Sequence, residues 1–255
     1  MLTFLLTLTD ELLEQMQKSI KESDIPKKIG IAFSGGVDST LLAKICEKQG
    51  YSIILLTIGF ENSHDIMFSK QVNEFLKLPH EILKIDKKNF ETILSKIKNK
   101  LKTDNLSWKE NCIAFYFVSK LAQSLKINTI VTANGIDELF CGYNSYRDAI
   151  KDGEKKVTEM MDAKLENEIR MMKAINDICS EFKVKITQPF LLNNFITFAK
   201  NIPISHKIKN SDDLLRKHII RKAALKFGVP EISVTKRKKA LQYGSLIHKA
   251  FIKSR

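Results

Sequence analysis

Short apolar runs alternate with amphipathic stretches through the first half of the chain. The runs KIGIAF, SIILLTIGF, HEILKI and NTIVTA are rich in β-branched residues and predict strands. The apolar spacing between them predicts helices from about Asp38 to Lys48, through SKQVNEFLK, and along WKENCIAFYFVSKLAQSLK. Near-continuous apolar strands separated by helices indicate an α/β fold with a parallel, doubly wound sheet covered on both faces.

Strand-like runs nearly vanish after about Tyr146, where long helical patterns such as KVTEMMDAKLENEIRMMKAINDICSEF take their place. The opening MLTFLLTLTDELLEQ lacks a basic leader and a cleavage site, so we interpret it as the lead-in to a first helix. We expect an N-terminal helix within residues 1–27, an α/β core over 28–150, and a helical subdomain over 151–255 that completes the active site. No run is apolar for the length of a membrane span, so a cytoplasmic protein is expected.

A turn with two glycines interrupts the first strand-to-helix transition. The segment SGGVDS, residues 34–39, follows KIGIAF and opens a helix, where backbone N–H groups and the helix dipole together form an anion site. The glycines let the main chain approach phosphate oxygens, and the serine hydroxyls add donors. A carboxylate would repel phosphate directly, so Asp38 is best explained as a ligand of an intervening Mg²⁺. A glycine turn with a Ser or Asp helix cap is the alternative that this segment alone leaves open.

A second polar segment, TANGIDELFCGY over residues 132–143, ends the predicted strand NTIVTA and begins another helix. Loops at the carboxyl ends of neighbouring parallel strands converge on one crevice, so Asp137 is predicted to face Asp38 across it. Two carboxylates supply oxygen ligands for a Mg²⁺ bound to nucleotide phosphates. Taken alone, Asp137 and Glu138 are more typical of acidic residues that stabilise a helix N-terminus.

The chain carries a net charge of +13, from 42 Lys and Arg against 29 Asp and Glu. This excess fits a polyanionic partner such as a nucleotide or an RNA. It also fits solvated, lysine-rich helix faces, which we favour because no basic run interleaves aromatic residues in the way of a base-stacking platform. The four cysteines include no C-x-x-C pair and the five histidines show no metal-binding spacing, so we expect reduced thiols and no zinc or iron–sulfur centre.

The two polar segments together carry a family resemblance. SGGVDS matches the SGGxDS signature of the ATP pyrophosphatase, or PP-loop, family, whose members cleave ATP between the α and β phosphates. TANGIDELFCGYNSY resembles the SGxGxDELFGGY segment of asparagine synthetase C-terminal domains and of the related β-lactam-forming synthetases. QPFLLNNFITFAKNIP resembles their PFLD segment, and LLRKHIIRKAALKFGVPEISVTKRKKALQYGS resembles their closing region. The resemblance runs in order from about Lys28 to Ser245.

This resemblance implies an ATP-dependent ligase that adenylates a carboxylate, releases pyrophosphate, and transfers the acyl group to ammonia or an amine. It implies Asp38 and Asp137 as the Mg²⁺ ligands. It implies Lys239 as the lysine that stabilises charge at the α-phosphate, with Lys238 one position away as the alternative. The ATP and pyrophosphate site that it implies consists of Phe33, Ser34, Gly35, Gly36, Asp38, Ser39, Thr40, Ile58, Thr132 and Gly135.

Two features depart from the family pattern. Residue 2 is Leu, where asparagine-forming members begin with the cysteine nucleophile of a glutaminase domain, so we expect free ammonia, a separate glutaminase partner or a different amine. Lys185 and Leu192 occupy positions at which the family carries acids. Loss of a carboxylate that helps to deprotonate the amine places asparagine itself in question as the product, whereas adenylation survives the objection. Lys185 is then a candidate for recognising the acceptor carboxylate.

Two other functions stay open at this stage. The net charge and the family's tRNA branch point to a PP-loop tRNA-modifying enzyme, although thiolating members carry paired cysteines that this chain lacks. A nucleotide-binding subunit without catalysis is the second alternative. Because Ser34, Asp38, Asp137 and Lys239 are all retained, we prefer the ligase.

Overall fold

The computed structural model describes residues 7–237 and 239–254 of the 255-residue chain. Its strands are β1 (Lys28–Ala32), β2 (Ser52–Gly59), β3 (His80–Lys84), β4 (Thr129–Val131) and β5 (Lys185–Thr187). Its helices are α1 (Leu8–Glu22), α2 (Val37–Lys48), α3 (His64–Leu76), α4 (Lys87–Lys100), α5 (Leu106–Ser124), α6 (Ile136–Leu139), α7 (Ser145–Ala149), α8 (Glu154–Cys179), α9 (Asn193–Asn201), α10 (His218–Lys226), α11 (Glu231–Thr235), α12 (Leu241–Gly244) and α13 (Ile247–Lys253). Short 3-10 segments cover Ile150–Asp152, Ser180–Phe182, Pro189–Leu191 and Ile204–His206.

Within the described residues, five strands form one sheet in the order β3-β2-β1-β4-β5, and every pair of neighbours is parallel. Central strand β1 pairs through Ile31 with Leu55 of β2 on one side and with Val131 of β4 on the other. The chain moves outward from β1 to β3 and then returns to the opposite side of β1. Strand order therefore reverses between β1 and β4, and the loops that follow these two strands open onto the same crevice.

Alternate residues of the strands enter two hydrophobic cores. Ile31 of β1 and Leu55 of β2 belong to the core that α1, α2, α9 and α10 cover. Leu56 and Ile58 of β2 belong to the opposite core, which α4, α5, α8 and α13 cover. Burial on both faces explains why the strand runs are almost continuously apolar. The parallel, doubly wound α/β fold predicted from the sequence is confirmed.

Strand β5 extends the sheet beyond the expected core. Lys185–Thr187 pairs with β4, although the sequence pattern after Tyr146 indicated helices almost exclusively. Of its three residues only Ile186 is apolar and buried, whereas the equally short β4 is buried throughout and lies in a longer apolar run. The sheet thus crosses the boundary expected after residue 150, while the division of the chain into domains stays a prediction.

The described part of the chain begins with a helix, α1. Helix α1 begins at a capping box in which the Thr7 hydroxyl accepts from the Asp10 amide, and the Asp10 carboxylate accepts from the Thr7 amide at 3.1 Å. Residues 1–6 lie outside the described part. None of the helices in residues 7–237 and 239–254 is long and apolar enough to cross a membrane. All four cysteines are buried and free, and burial raises the pKa of each thiol to about 12.

Lys207 is an ionisable side chain that lies entirely inside the fold. Its Nζ donates to the Ala199 carbonyl at 2.7 Å and lies 5.6 Å from the centroid of the Phe140 ring. Burial lowers its pKa from 10.5 to about 8, because the ammonium loses more hydration than these contacts return. Between those two pH values the unfolded chain holds a proton that the folded chain has released, so this residue makes stability rise with pH in that window.

Lys207→Met is therefore predicted to remove a pH-dependent term from the free energy of unfolding. Relative to the variant, the parent protein should gain on the order of 3 kcal/mol between pH 8 and 10.5, with no change in the difference below pH 8. Urea unfolding at a series of pH values measures this difference. Lys87→Met, at a side chain 87% exposed, is the control and should give a constant difference. A pH-independent difference for Lys207→Met would contradict the prediction.

Candidate functional site

A cavity of about 520 Å³ lies where the loops after β1 and β4 meet. The glycine-rich turn after β1 forms one wall, and the segment from Thr132 to Glu138 forms the next. Helices α5 and α8 close a third side through residues including Asn111 and Glu168. Residues 236–243 supply further lining from the far end of the chain, with residue 238 outside the described part. The cavity thus draws on both halves of the sequence.

The turn at residues 34–39 is folded tightly upon itself. Gly35 has φ +77°, and a Cβ there would press against Phe68 and Val72, so glycine is required for both reasons. The Ser39 hydroxyl accepts from the Ser34 amide at 3.4 Å and donates to the Gly36 carbonyl at 3.2 Å. No side chain caps α2 at Gly36. The first N–H groups of this 12-residue helix therefore lack a side-chain acceptor, which is the arrangement that an anion-binding helix N-terminus uses.

A buried lysine joins the two polar segments. Lys217 Nζ lies 2.5 Å from Asp38 Oδ2 and 2.5 Å from Asp137 Oδ1. The lysine side chain is 1% exposed, and the carboxylates are 13% and 12% exposed. Burying these three groups costs free energy of hydration, and close contact between opposite charges offsets that cost. The position of each group therefore depends on the other two. Two carboxylates around one ammonium give the group a net charge of −1.

The backbone around Lys217 is built for this close approach. Arg216 and Lys217 both have left-handed backbone angles, at φ 50° and 53°. The Arg216 guanidinium donates to the Gly142 carbonyl at 3.0 Å and so fixes the turn that follows Asp137. A Cβ at Gly142 would overlap the Asp137 carboxylate and approach Lys217 Cε to 2.5 Å. A glycine at position 142 is therefore a condition for the contact between Asp137 and Lys217.

A second set of polar groups lines the cavity on the side of α8. The Asn134 amide donates to Glu168 Oε1 at 2.6 Å, and the Thr132 hydroxyl donates to Asn134 Oδ1 at 2.5 Å. Glu168 is 4% exposed. This chain of hydrogen bonds holds a buried carboxylate against the cavity in one orientation.

Tyr143 and Glu138 form a neighbouring pair. The Tyr143 hydroxyl donates to Glu138 Oε1 at 2.5 Å, and the Gly135 amide donates to Glu138 Oε2 at 3.2 Å. Burial raises the pKa of Tyr143 well above 10, and the negative charges of Glu138, Asp137 and Glu168 add to that effect. Tyr143 therefore stays a hydrogen-bond donor throughout the physiological range. Lys164 Nζ lies 4.7 Å from the centroid of its ring.

The structure brings most of the predicted site residues to one cavity. The lining includes Phe33, Ser34, Gly36, Asp38, Ser39, Ile58, Thr132, Asp137 and Lys239. Three predicted residues do not reach the described lining. Thr40 is fully buried, and its hydroxyl donates to the Gly36 carbonyl at 2.9 Å. Gly35 packs against α3, and Gly135 packs against Phe190 and Leu191.

Of the residues predicted after position 184, some line the cavity and others do not. Lys239 lines the cavity and is exposed, whereas Lys238 lies outside the described residues. Lys185 is exposed at the start of β5, and Leu192 is half-buried. Neither Lys185 nor Leu192 belongs to the described lining of the cavity.

Sequence reasoning missed Lys217, Asn134 and Glu168. Lys217 had one available signal, since a Lys between the apolar pairs of LLRKHII occupies a position that would otherwise be buried. Glu168 also had one, because it occupies the apolar face of α8 with Leu165 and Met172, all of them buried. Neither signal by itself identifies the partner, which is distant in sequence.

Comparison with known proteins gives one family match. The asparagine synthase family model matches residues 9–181. A Methanocaldococcus jannaschii protein assigned as a glutamine-hydrolysing asparagine synthetase is 26% identical over 92% of this chain and 50% of its own length. A glutamine-hydrolysing asparagine synthetase of Lotus japonicus is 24% identical over 79% of this chain and 36% of its own. The chain thus spans half, or less, of the length of these relatives.

Among solved structures, NMN synthetase from Francisella tularensis aligns with a TM-score of 0.49 and 17% sequence identity. The alignment covers 92% of this chain and 76% of that one. The family match confirms the resemblance that the SGGVDS and TANGIDELFCGY segments indicated.

Proposed function

The chain belongs to the asparagine synthase family, and from that premise we propose that it is an ATP-dependent ligase that forms amides. In the first half-reaction a carboxylate oxygen attacks the α-phosphorus of ATP, giving an acyl-adenylate and pyrophosphate. In the second, ammonia or an amine attacks the acyl carbon, AMP leaves with the bonding electrons, and the nitrogen loses one proton. The observation that carries the proposal is the convergence of Asp38 and Asp137 on Lys217 beside the glycine-rich turn.

With a Mg²⁺ ion to offset its net negative charge, this cluster suits a nucleotide triphosphate. The turn at residues 34–39 brings the N-terminus of α2 and the Ser34 hydroxyl to the same cavity, where they would meet phosphate oxygens. Lys217 and Lys239 add positive charge to the same cavity, where charge on the departing pyrophosphate must be stabilised. Because the cavity is partly closed to water, these fixed charges act more strongly than they would on an open surface.

The two aspartates fit a Mg²⁺ ion. Asp38 Oδ1 is buried and has no hydrogen-bond partner among the described residues, which is the state of an oxygen that can accept a cation. Hard carboxylate oxygens are the ligands that Mg²⁺ prefers. No three His, Cys, Asp or Glu side chains in residues 7–237 and 239–254 form a metal site by themselves, so phosphate oxygens would complete the coordination. Bound there, the ion would neutralise charge on the α- and β-phosphates.

Glu168 is our candidate for the base of the second half-reaction. Its carboxylate is held by Asn134 at the wall of the cavity, and the nitrogen nucleophile must deliver its proton to some acceptor inside this cavity. This assignment restores the carboxylate that Lys185 and Leu192 seemed to remove. Free ammonia, a glutaminase partner and a small amine are all compatible with it, as is aspartate as the acid.

The test of the function is a stoichiometric assay of pyrophosphate and AMP with Mg²⁺-ATP. Aspartate, other small carboxylates and bulk tRNA are supplied in turn, each with and without ammonium. We expect equal amounts of pyrophosphate and AMP with a small carboxylate and ammonium, and Asp38→Asn should reduce the rate about 100-fold. Asp148→Asn, at a side chain 79% exposed, is the control. Release only with tRNA would instead assign a tRNA-modifying enzyme, and no release with any substrate would contradict catalysis.

Lys217→Met should reveal the cation site without any turnover. Removing the ammonium leaves two buried carboxylates facing each other, which is expected to cost about 3–5 kcal/mol of unfolding free energy in EDTA. Mg²⁺ should restore part of that loss and should raise Tm more in the variant than in the parent. Lys200→Met removes a lysine 2.6 Å from the partly exposed Asp162 and should show no Mg²⁺ dependence. If the variant is destabilised equally in EDTA and in Mg²⁺, the two aspartates do not bind the metal ion.

Glu168→Gln should separate the two half-reactions. Carboxylate-dependent exchange of labelled pyrophosphate into ATP reports adenylation and should change by no more than a few fold. The rate of amide formation should fall about 100-fold or more, because the amide side chain cannot accept the proton. Glu166→Gln alters an exposed residue of the same helix and should leave both rates unchanged. Equal loss of exchange and amide formation would show that Glu168 acts before the second step.

A further inference from the structure

Arg221 of α10 is a buried arginine that contacts two separate segments of the chain. It is 6% exposed and lines the cavity. Its hydrogen bonds to the described residues go to backbone carbonyls. The guanidinium thus fixes main chain, while its charge also acts on the nearby Asp38.

The first segment precedes α10 and carries Lys217. Arg221 Nε donates to the Arg216 carbonyl at 2.9 Å, and Nη2 donates to the Leu215 carbonyl at 2.8 Å. Two consecutive left-handed residues, Arg216 and Lys217, are unfavourable for side chains with a Cβ and persist where surrounding contacts hold them. Arg221 supplies such contacts directly at the strained backbone.

The second segment follows α11 and carries Lys239. Arg221 Nη1 donates to the Lys236 carbonyl at 3.0 Å and also to the Val234 carbonyl. The exposed side chains of Lys236, Arg237 and Lys239 give this segment a high positive charge. The acidic side chains of the cavity attract such a segment without fixing its position, because charge attraction has little directional preference. The hydrogen bonds from Arg221 to its backbone carbonyls supply that direction.

We propose that Arg221 is a positioning residue that holds the Lys217 segment and the Lys239 segment in register, so that both lysines face the same cavity. A planar guanidinium holds donors on three nitrogens in fixed directions and so reaches carbonyls of both segments, whereas a lysine ammonium places its three donors on one atom. That both lysines then act on one phosphate chain rests on the proposed function. The positions of the two segments relative to each other do not depend on that function.

Limited trypsin digestion tests the register independently of activity. In Arg221→Lys, cleavage after Lys236, Arg237 and Lys239 should become about tenfold faster, because their backbone is held less often by residue 221; fragment masses identify the sites. Arg147→Lys is the matched control, because Arg147 Nε also donates to a backbone carbonyl, that of Ser211, at 2.7 Å. Neither substitution creates or removes a trypsin site. An unchanged cleavage rate in a folded Arg221→Lys protein overturns the proposal.

Arg221→Gln, digested in parallel, keeps the test decisive should the lysine variant fail to fold by circular dichroism. It should show the same selective cleavage, and unchanged cleavage of folded Arg221→Gln counts equally against the proposal. Guanidinium ion added to Arg221→Ala should restore protection of the segment, whereas sodium chloride at equal ionic strength should not. If both salts restore protection from trypsin equally, hydrogen bonds from a guanidinium to the backbone carbonyls are not what holds the segment.

Turnover adds a separate readout. With adenylation established for the parent, Arg221→Lys should lower kcat for pyrophosphate release about tenfold or more with the KM for ATP nearly unchanged, since misplaced lysines weaken mainly the transition state. Guanidinium should recover part of the rate in Arg221→Ala. If the parent releases no pyrophosphate, the proposed function fails. The digestion result still shows whether Arg221 holds the two segments in place. If kcat is unaffected in the selectively cleaved variant, the positioning role is overturned.

Discussion

The contact of Lys217 with Asp38 and Asp137 is the interaction around which the rest of the structure is arranged. The lysine and Asp38 are separated by 179 positions in sequence, and all three groups are largely withdrawn from water. A buried charge group of this kind is tolerated only when its geometry is close and complete. Gly142 must lack a Cβ for the groups to meet, and Arg216 must hold the Gly142 carbonyl for the turn to stay in place. Several local features that look unrelated in the sequence thus serve one contact.

The order of the strands explains how distant residues reach that contact. Because β1 and β4 are neighbours on either side of the reversal in strand order, the polar segments that follow them share one edge of the sheet. Their carboxylates would repel each other there. The second half of the chain supplies the compensating cations, with Lys217 buried between the acids and Lys239 on the cavity wall. Neither half contains a complete site, and the sheet and the core of α1, α2, α9 and α10 also run across the expected boundary near residue 150.

The sequence allowed the sheet and the first two site segments to be predicted because both depend on local rules. Apolar strands fix where a loop begins, and the parallel arrangement fixes which loops meet, so Asp38 and Asp137 could be paired before any coordinates. Strand β5 escaped prediction because it has one buried apolar side chain, whereas the equally short β4 is buried throughout. Lys217 escaped because it precedes a helix, outside the strand ends that define the crevice. Glu168 lies on the buried face of α8, where an acid is noticeable, but its partner Asn134 belongs to a loop 34 residues earlier. Such pairs are set by tertiary packing, which no local pattern encodes.

The two ends of the cavity therefore have different origins. The nucleotide end is made by loops that follow β1 and β4, and its geometry is bound to the sheet. The opposite end is made by the sides of α5 and α8, where Trp108 Nε1 donates to Asn167 Oδ1 at 3.0 Å and fixes the spacing of the two helices. Polar side chains there, including Asn111 and Lys164, can change without disturbing strand order or the buried charge group. Under the proposed function, such a fold would keep its nucleotide chemistry constant while side chains of α5 and α8 contribute to the choice of acid and amine.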